Sequence, residues 1–286
     1  MRYPYRSLAS GYVRWLKKGA ACPLGGLPPA RPSRVRPHAP KVLLFSPHPD
    51  DECIIGGLAL RLRRELRWNV LNVAVTQGSK KERQAARWAE LQNACDYLGF
   101  GLIQTREGGL EKINPRGREQ DPAGWSAAVD LIAGILAREQ PRVIFAPHAQ
   151  DWNTTHIGTH LLVADALRKM GPAFSCFVIE TEFWGAMTAP NLMVECGVRD
   201  VADLMAATSF HVGEVQRNPY HLGLPAWFQD NVRRGAELVT GQGGAAPGFT
   251  FATLYRLQRW ATGRMDKVFD GGRLVSSQDD LRSLFA

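Results

Sequence analysis

From Lys41 onward, short apolar runs alternate with longer amphipathic stretches. Lys41–Phe45 and Pro141–Ala146 are nearly continuous hydrophobic segments, as expected of strands covered on both faces. Val70–Thr76, Leu102–Thr105 and Cys176–Glu180 read as further strands. Between them, Asp51–Arg67, Lys81–Leu98, Trp125–Glu139 and Thr155–Met170 read as helices, the second stopping at Gly99 and the last at Gly171-Pro172. Strands alternating with helices of this length predict βαβ units. The expected fold class is therefore α/β, a Rossmann-like parallel sheet with helices on both faces. Beyond about residue 185 the pattern loosens, and Gly241–Gly248 reads as a glycine-rich loop.

Residues 1–40 do not share this pattern. Ser7–Lys18 predicts a short amphipathic helix with Leu8, Tyr12, Trp15 and Leu16 apolar and Arg14, Lys17 and Lys18 charged. Six prolines between Pro23 and Pro40 predict an extended linker. The chain thus divides into a basic, Pro-rich arm (1–40) and one domain (41–286). The arm is expected to be a strap that packs its aromatic residues on the domain, because a short helix with three charges is a weak membrane signal.

Charge sharpens the division. The net charge of +8 resembles a nucleic-acid binder until it is located. Nine of the 35 basic residues lie in residues 1–49, where there is no acid, so the remainder holds 26 basic against 27 acidic side chains. A near-neutral domain offers no stripe for a phosphate backbone, and no nucleic-acid partner is expected. No apolar run approaches the roughly 18 residues of a membrane span, so no stable membrane insertion is expected. Five scattered cysteines without a CxxC pair point to a reducing, cytoplasmic setting and away from a thiolate zinc site. The Leu8–Leu16 stretch is broken by Arg14 and lacks a cleavage region, so it does not read as a signal peptide. Gly56-Gly57 is no GxGxxG fingerprint, which removes a dinucleotide site. Self-association is left open.

Ligands in parallel sheets bind beyond the carboxyl ends of the strands, and two polar clusters fall there. Ser46-Pro-His-Pro-Asp-Asp-Glu52 follows the first strand directly. A histidine and three consecutive acids exceed what one helix cap needs, and they are costly to bury unless paired or metal-bound. His48 and Asp51, three apart across a Pro-restricted turn, can reach one point and suit a catalytic zinc. Asp50 is then free to act as a base on water. The second cluster, Pro147–His160, follows a later strand. Thr155 reads as its helix cap, with His156 and His160 one turn apart, either being a candidate third ligand.

Pro47-His48-Pro49-Asp50-Asp51-Glu52 resembles the signature of the PIG-L/LmbE family of zinc-dependent de-N-acetylases. The Thr76–Ser79 loop, the Arg87–Leu91 helix pattern and the segment ending at His156 resemble the family as well, over about Lys41–Met170. The resemblance implies an LmbE-like domain that removes an N-acetyl or other N-acyl group from an amino sugar or glycoconjugate. It implies Zn²⁺, or another divalent metal, held by His48, Asp51 and His156, with Asp50 as general base. Where the family carries a further histidine this chain has Asn153, which donates a hydrogen bond but cannot shuttle a proton. Asn153, His160 and His148 are the candidates for the acid or oxyanion donor, with His211 a further substitute. Arg87, Asp151, Glu182 and Trp184 are candidate substrate contacts, Arg87 being equally readable as a surface pair with Glu90. The Asn218–His221 stretch could line the same opening but belongs to no motif. Two alternatives remain: an amidase for a different amide such as a thiol conjugate, and a non-catalytic sugar-binding descendant.

Overall fold

The computed structural model describes residues 3–29 and 34–286. Arg2 and Arg31 of the basic arm lie outside them. The first strand, β1 (Lys41–Ser46), shows why a parallel sheet forms. Val42 and Leu44 enter one core while Leu43 and Phe45 enter another on the opposite face, as the two-residue strand period requires. Parallel pairing continues through β2 (Asn69–Ala74), β3 (Gly101–Gln104), β4 (Val143–Pro147) and β5 (Cys176–Thr181). Register is set by pairs such as Phe45↔Val73, Leu43↔Ile144 and Ile144↔Val178.

Helices cover both faces. On one side lie α2 (Asp51–Ile54), α3 (Gly57–Glu65), α4 (Lys81–Leu98), α8 (Val198–Ser209) and α10 (Leu224–Thr240). The other side is closed by α6 (Pro122–Glu139) and α7 (Thr154–Lys169), with α5 (Pro115–Gln120) beside them. A short α9 (Val212–Arg217) and a 3₁₀ turn (Tyr220–Gly223) link α8 to α10.

The C-terminal third is more regular than its sequence implies. β6 (Leu192–Glu195), β7 (Ala252–Ala261), β8 (Arg264–Lys267) and β9 (Arg273–Val275) extend the sheet to the order β3-β2-β1-β4-β5-β7-β6-β9, with β8 on β7. β7 runs antiparallel to β5, so the sheet is mixed beyond its parallel half.

Three further expectations are corrected. The helix read over Asp51–Arg67 breaks at Gly56, whose φ is +83° and whose added Cβ would stand 2.1 Å from Thr253 Cγ2. The cap of α7 is Asn153, whose side chain accepts from the Thr155 N–H, rather than Thr155. The arm's helix, α1 (Pro4–Gly19), buries no residue, so it is not a strap. Further along the arm, the Gly25 N–H donates to Ser209 Oγ and Leu27 packs on the core. No helix among the described residues is long and apolar enough to cross a membrane.

Candidate active site

The chain builds β1, β2 and β3 outward in one direction and then places β4 and β5 on the other side of β1. The direction switches between β1 and β4, which is where an α/β sheet opens a crevice at its carboxyl edge. Both polar clusters emerge there.

After β1 the turn is clamped: the Thr76 N–H and Oγ1 both donate to the Pro47 carbonyl, at 3.2 and 2.6 Å. Asp50 sits at φ +118°, a left-handed conformation costing a non-glycine residue roughly 1–3 kcal/mol. Its N–H donates to Glu52 Oε2 at 2.9 Å, and Glu52 Oε1 lies 2.7 Å from His211 Nε2. Glu52 and His211 are both fully buried, so the strained turn is supported from beneath.

Asp51 Oδ2 accepts from the His48 N–H at 2.8 Å. The same oxygen is 3.4 Å from His48 Nδ1 and 3.3 Å from His156 Nε2, and the two nitrogens are 3.2 Å apart. Two imidazole nitrogens facing each other at this distance share at most one proton. Donors about 2.0–2.1 Å from a tetrahedral zinc stand about 3.3–3.4 Å apart. The triangle therefore has the edge lengths of one face of such a site. Asp51 Oδ1 is buried without a partner, so donor capacity is left over. The donor set and its spacing fit a divalent metal.

His156 comes from the first turn of α7, is fully buried, and meets the Phe183 ring edge-on at 4.7 Å. Asp151 Oδ2 lies 3.5 Å behind its Nδ1, at the limit of hydrogen-bond reach. Asp151 also accepts from the N–H groups of Asn153 and Gly185. Burial alone would lower the His156 pKa, but the Asp51 and Asp151 carboxylates outweigh it and hold it up to about 10. Burial likewise opposes ionisation of Asp51, and the two imidazoles pull it well below the usual carboxylate range. Asp50 behaves oppositely: burial and the adjacent Asp51 charge push it up to about 7, against the pull of His211 and Tyr220.

The remaining sequence candidates separate by position. His160 is half-exposed, with Nδ1 3.0 Å from the Pro147 carbonyl and 3.4 Å from Glu180 Oε1. His148 has both ring nitrogens engaged, by the Gly185 carbonyl and the Gln150 N–H. Asn153 spends its side-chain oxygen on the helix cap. Asp151 and Glu182 were candidate substrate contacts, yet both are buried. Asp151 backs His156, and Glu182 holds Arg234 and the Met187 N–H. Arg87 does not pair with Glu90; it donates to the Pro49 carbonyl and faces Glu214. Trp184 stays half-exposed and stacks edge-on against Tyr220 at 5.4 Å.

Tyr220 is the residue that sequence reasoning did not single out. Its hydroxyl donates to Asp50 Oδ2 at 2.5 Å. The only signal was the unassigned Asn218–His221 stretch, 170 residues from Asp50 in the chain.

The fold and site define an α/β protein with a His-Asp-His candidate metal site at the switch point of its sheet and a carboxylate alongside. Residues 43–167 match the PIG-L family model, GlcNAc-PI de-N-acetylase, so the family resemblance of the sequence is borne out over that segment. The chain is 27% identical over 173 residues to a 1D-myo-inositol 2-acetamido-2-deoxy-alpha-D-glucopyranoside deacetylase of Mycobacterium leprae. That match covers 51% of this chain and 56% of the relative, so the chain spans little more than half the length of that relative. Among solved structures, N,N'-diacetylchitobiose deacetylase from Pyrococcus horikoshii superposes with a TM-score of 0.55 at 20% identity, covering 79% of this chain and 85% of its own. The 4-carboxy-2-hydroxymuconate hydratase of Pseudomonas putida KT2440 superposes with a TM-score of 0.54 at 15% identity, covering 76% and 95%. The shared fold therefore carries more than one reaction, and the site must decide.

Proposed function

We propose that this protein is a metal-dependent hydrolase that removes an N-acetyl or other N-acyl group from an amino sugar or glycoconjugate in the cytoplasm. The observation that carries this reading is the donor triangle of His48, Asp51 and His156, with Asp50 buried beside it. The deacetylase relatives named above support the amino-sugar acetamide as the substrate class. Zinc is the expected ion, because the triangle has its tetrahedral edge and the donors are borderline nitrogen and hard oxygen. When bound, such an ion polarises an amide carbonyl and acidifies a water.

The protein's own groups supply the proton handling. Asp50, in its ionised form, accepts a proton from the attacking water at the carboxylate oxygen that Tyr220 does not hold. The Tyr220 hydroxyl fixes the plane of that carboxylate. The leaving nitrogen must be protonated, because an amide anion is too basic to depart. His148 has both ring nitrogens held and the Asn153 amide has no acidic proton to give, so the proton collected by Asp50 is the one delivered. Trp184, half-exposed over Tyr220, offers a flat apolar wall to a sugar ring.

The test is release of acetate or another acid from a panel of N-acyl amino sugars and thiol-conjugate amides by the full chain. Activity should require metal, disappear with chelator and return with zinc. Undiminished hydrolysis in the metal-stripped protein, or cleavage of no amide by the metal-loaded one, would discard the proposal.

A further inference from the structure

α1 has an amphipathic pattern that the domain engages only in part, at Tyr12 through Gln229 and at Gly19 against Leu222. Tyr5, Leu8, Tyr12, Trp15 and Leu16 recur at helical spacing and fall within an arc of roughly 120°. Arg6, Arg14, Lys17 and Lys18 occupy the opposite side, and the helix contains no acid. Its large side chains are open to solvent: Trp15 is 79% exposed, Tyr5 70% and Leu8 62%. None of the four cations meets a carboxylate among the described residues. A helix of 16 residues whose Tyr5, Leu8 and Trp15 stay open to solvent over a purely basic back needs a partner that offers both an apolar layer and negative charge.

We infer that α1 is an interfacial anchor that lies on anionic membrane surfaces. Tyrosine and tryptophan have an apolar body and a polar tip, so they settle at the headgroup boundary. The basic side then faces the anionic lipid phosphates, and the helix lies in the plane without crossing. Charge decides between the available partners. A second copy of the chain could cover the apolar face but would leave the four cations of each helix without a counter-charge. A nucleic acid would satisfy the cations but leave Leu8, Trp15 and Leu16 in water.

The placement of α1 gives the anchor a consequence. Tyr12 Oη donates to Gln229 of α10 at 2.6 Å. Gly19 abuts Leu222 in the same 3₁₀ turn that delivers Tyr220 to Asp50. A bilayer-bound α1 therefore holds the body by the element that borders the candidate site.

The experiment is co-sedimentation of the full chain with vesicles of phosphatidylcholine alone and with about 30 mol% phosphatidylserine, at low and high salt. Binding should need the anionic lipid, weaken with salt, and fall roughly tenfold or more in the Lys17→Gln/Lys18→Gln and Leu8→Ser/Trp15→Ser pairs. Hydrolysis of a soluble N-acyl amino sugar should be unchanged in both variants, which separates this inference from the reaction itself. Three results would overturn it. The first is no binding to anionic vesicles, and the second is binding that both variants retain. The third is loss of a dimer, or of duplex binding, in the variants while vesicle binding is absent.

Discussion

Asp50 is held in place by its neighbours on every side. Pro49 precedes it, Glu52 takes its N–H, Tyr220 takes one carboxylate oxygen, and burial keeps its pKa at about 7. The Asp50→Asn variant should therefore keep its metal while losing turnover by roughly 10²–10⁴-fold. His160→Ala should cost less, because His160 Nδ1 is already occupied by the Pro147 carbonyl beside Glu180. Metal content and initial rates of both variants, measured together, check the order. A larger loss in His160→Ala at equal metal content would transfer the acid role to His160. The His48–Glu52 cluster was legible in sequence because its members lie within one proline-restricted turn. Tyr220 was not, and His211 stood out only as a substitute acid without a motif, since only tertiary folding brings them to that turn. Asp151 and Glu182 lie buried against His156 and Arg234, and an acid committed to a buried partner looks, in sequence, like one that faces substrate.

At the scale of elements, α7 is the device that completes the site. Its first turn carries His156, so its axial position sets the distance from Nε2 to Asp51. That position depends on Gly158, where an added Cβ would stand 2.3 Å from the Ile113 carbonyl oxygen. The obstacle is backbone, so α7 must move. Gly158→Ala should lower stability by about 1–3 kcal/mol and also weaken metal retention. Gly134→Ala on α6 is the control, because nothing stands within 4 Å of its added Cβ, and it should be neutral or slightly stabilising. Denaturant melts and metal-competition titrations of the pair distinguish the two cases. Unaltered metal affinity in Gly158→Ala would show that the Ile113 contact does not position His156. The strand–helix alternation that places α7 was readable from periodicity. The break at Gly56 was not, because its cause is Thr253 on β7, almost 200 residues away. The β6–β9 extension was hidden for a similar reason: three α-helices separate β6 from β7, and β7–β8 is a hairpin, so no βαβ rhythm appears.

For the whole molecule, the same three donors tie folding to metal and to pH. In the metal-free protein, Asp51 and Asp151 raise the His156 pKa from 6.5 to about 10 against its burial. A folded-state pKa above the unfolded value means the native state holds the extra proton. That stabilisation is complete below about pH 6.5 and is lost as pH rises toward 10. Asp50, raised to about 7, loses stability in the same sense, but its window closes near pH 7. His211, raised by Glu52 against its own burial, adds a loss common to metal-free and metal-loaded protein. With metal bound, Nε2 of His156 carries no proton, so its part of the slope disappears and metal uptake releases about one proton. The stability advantage of metal-loaded over metal-stripped protein should therefore widen steadily between about pH 7 and pH 10. Urea unfolding of both forms across that range measures it, and a His156→Gln variant should show no such widening. Parallel curves for the two forms of the unsubstituted protein would mean that metal and proton do not compete for His156, and the ligand assignment would have to be withdrawn.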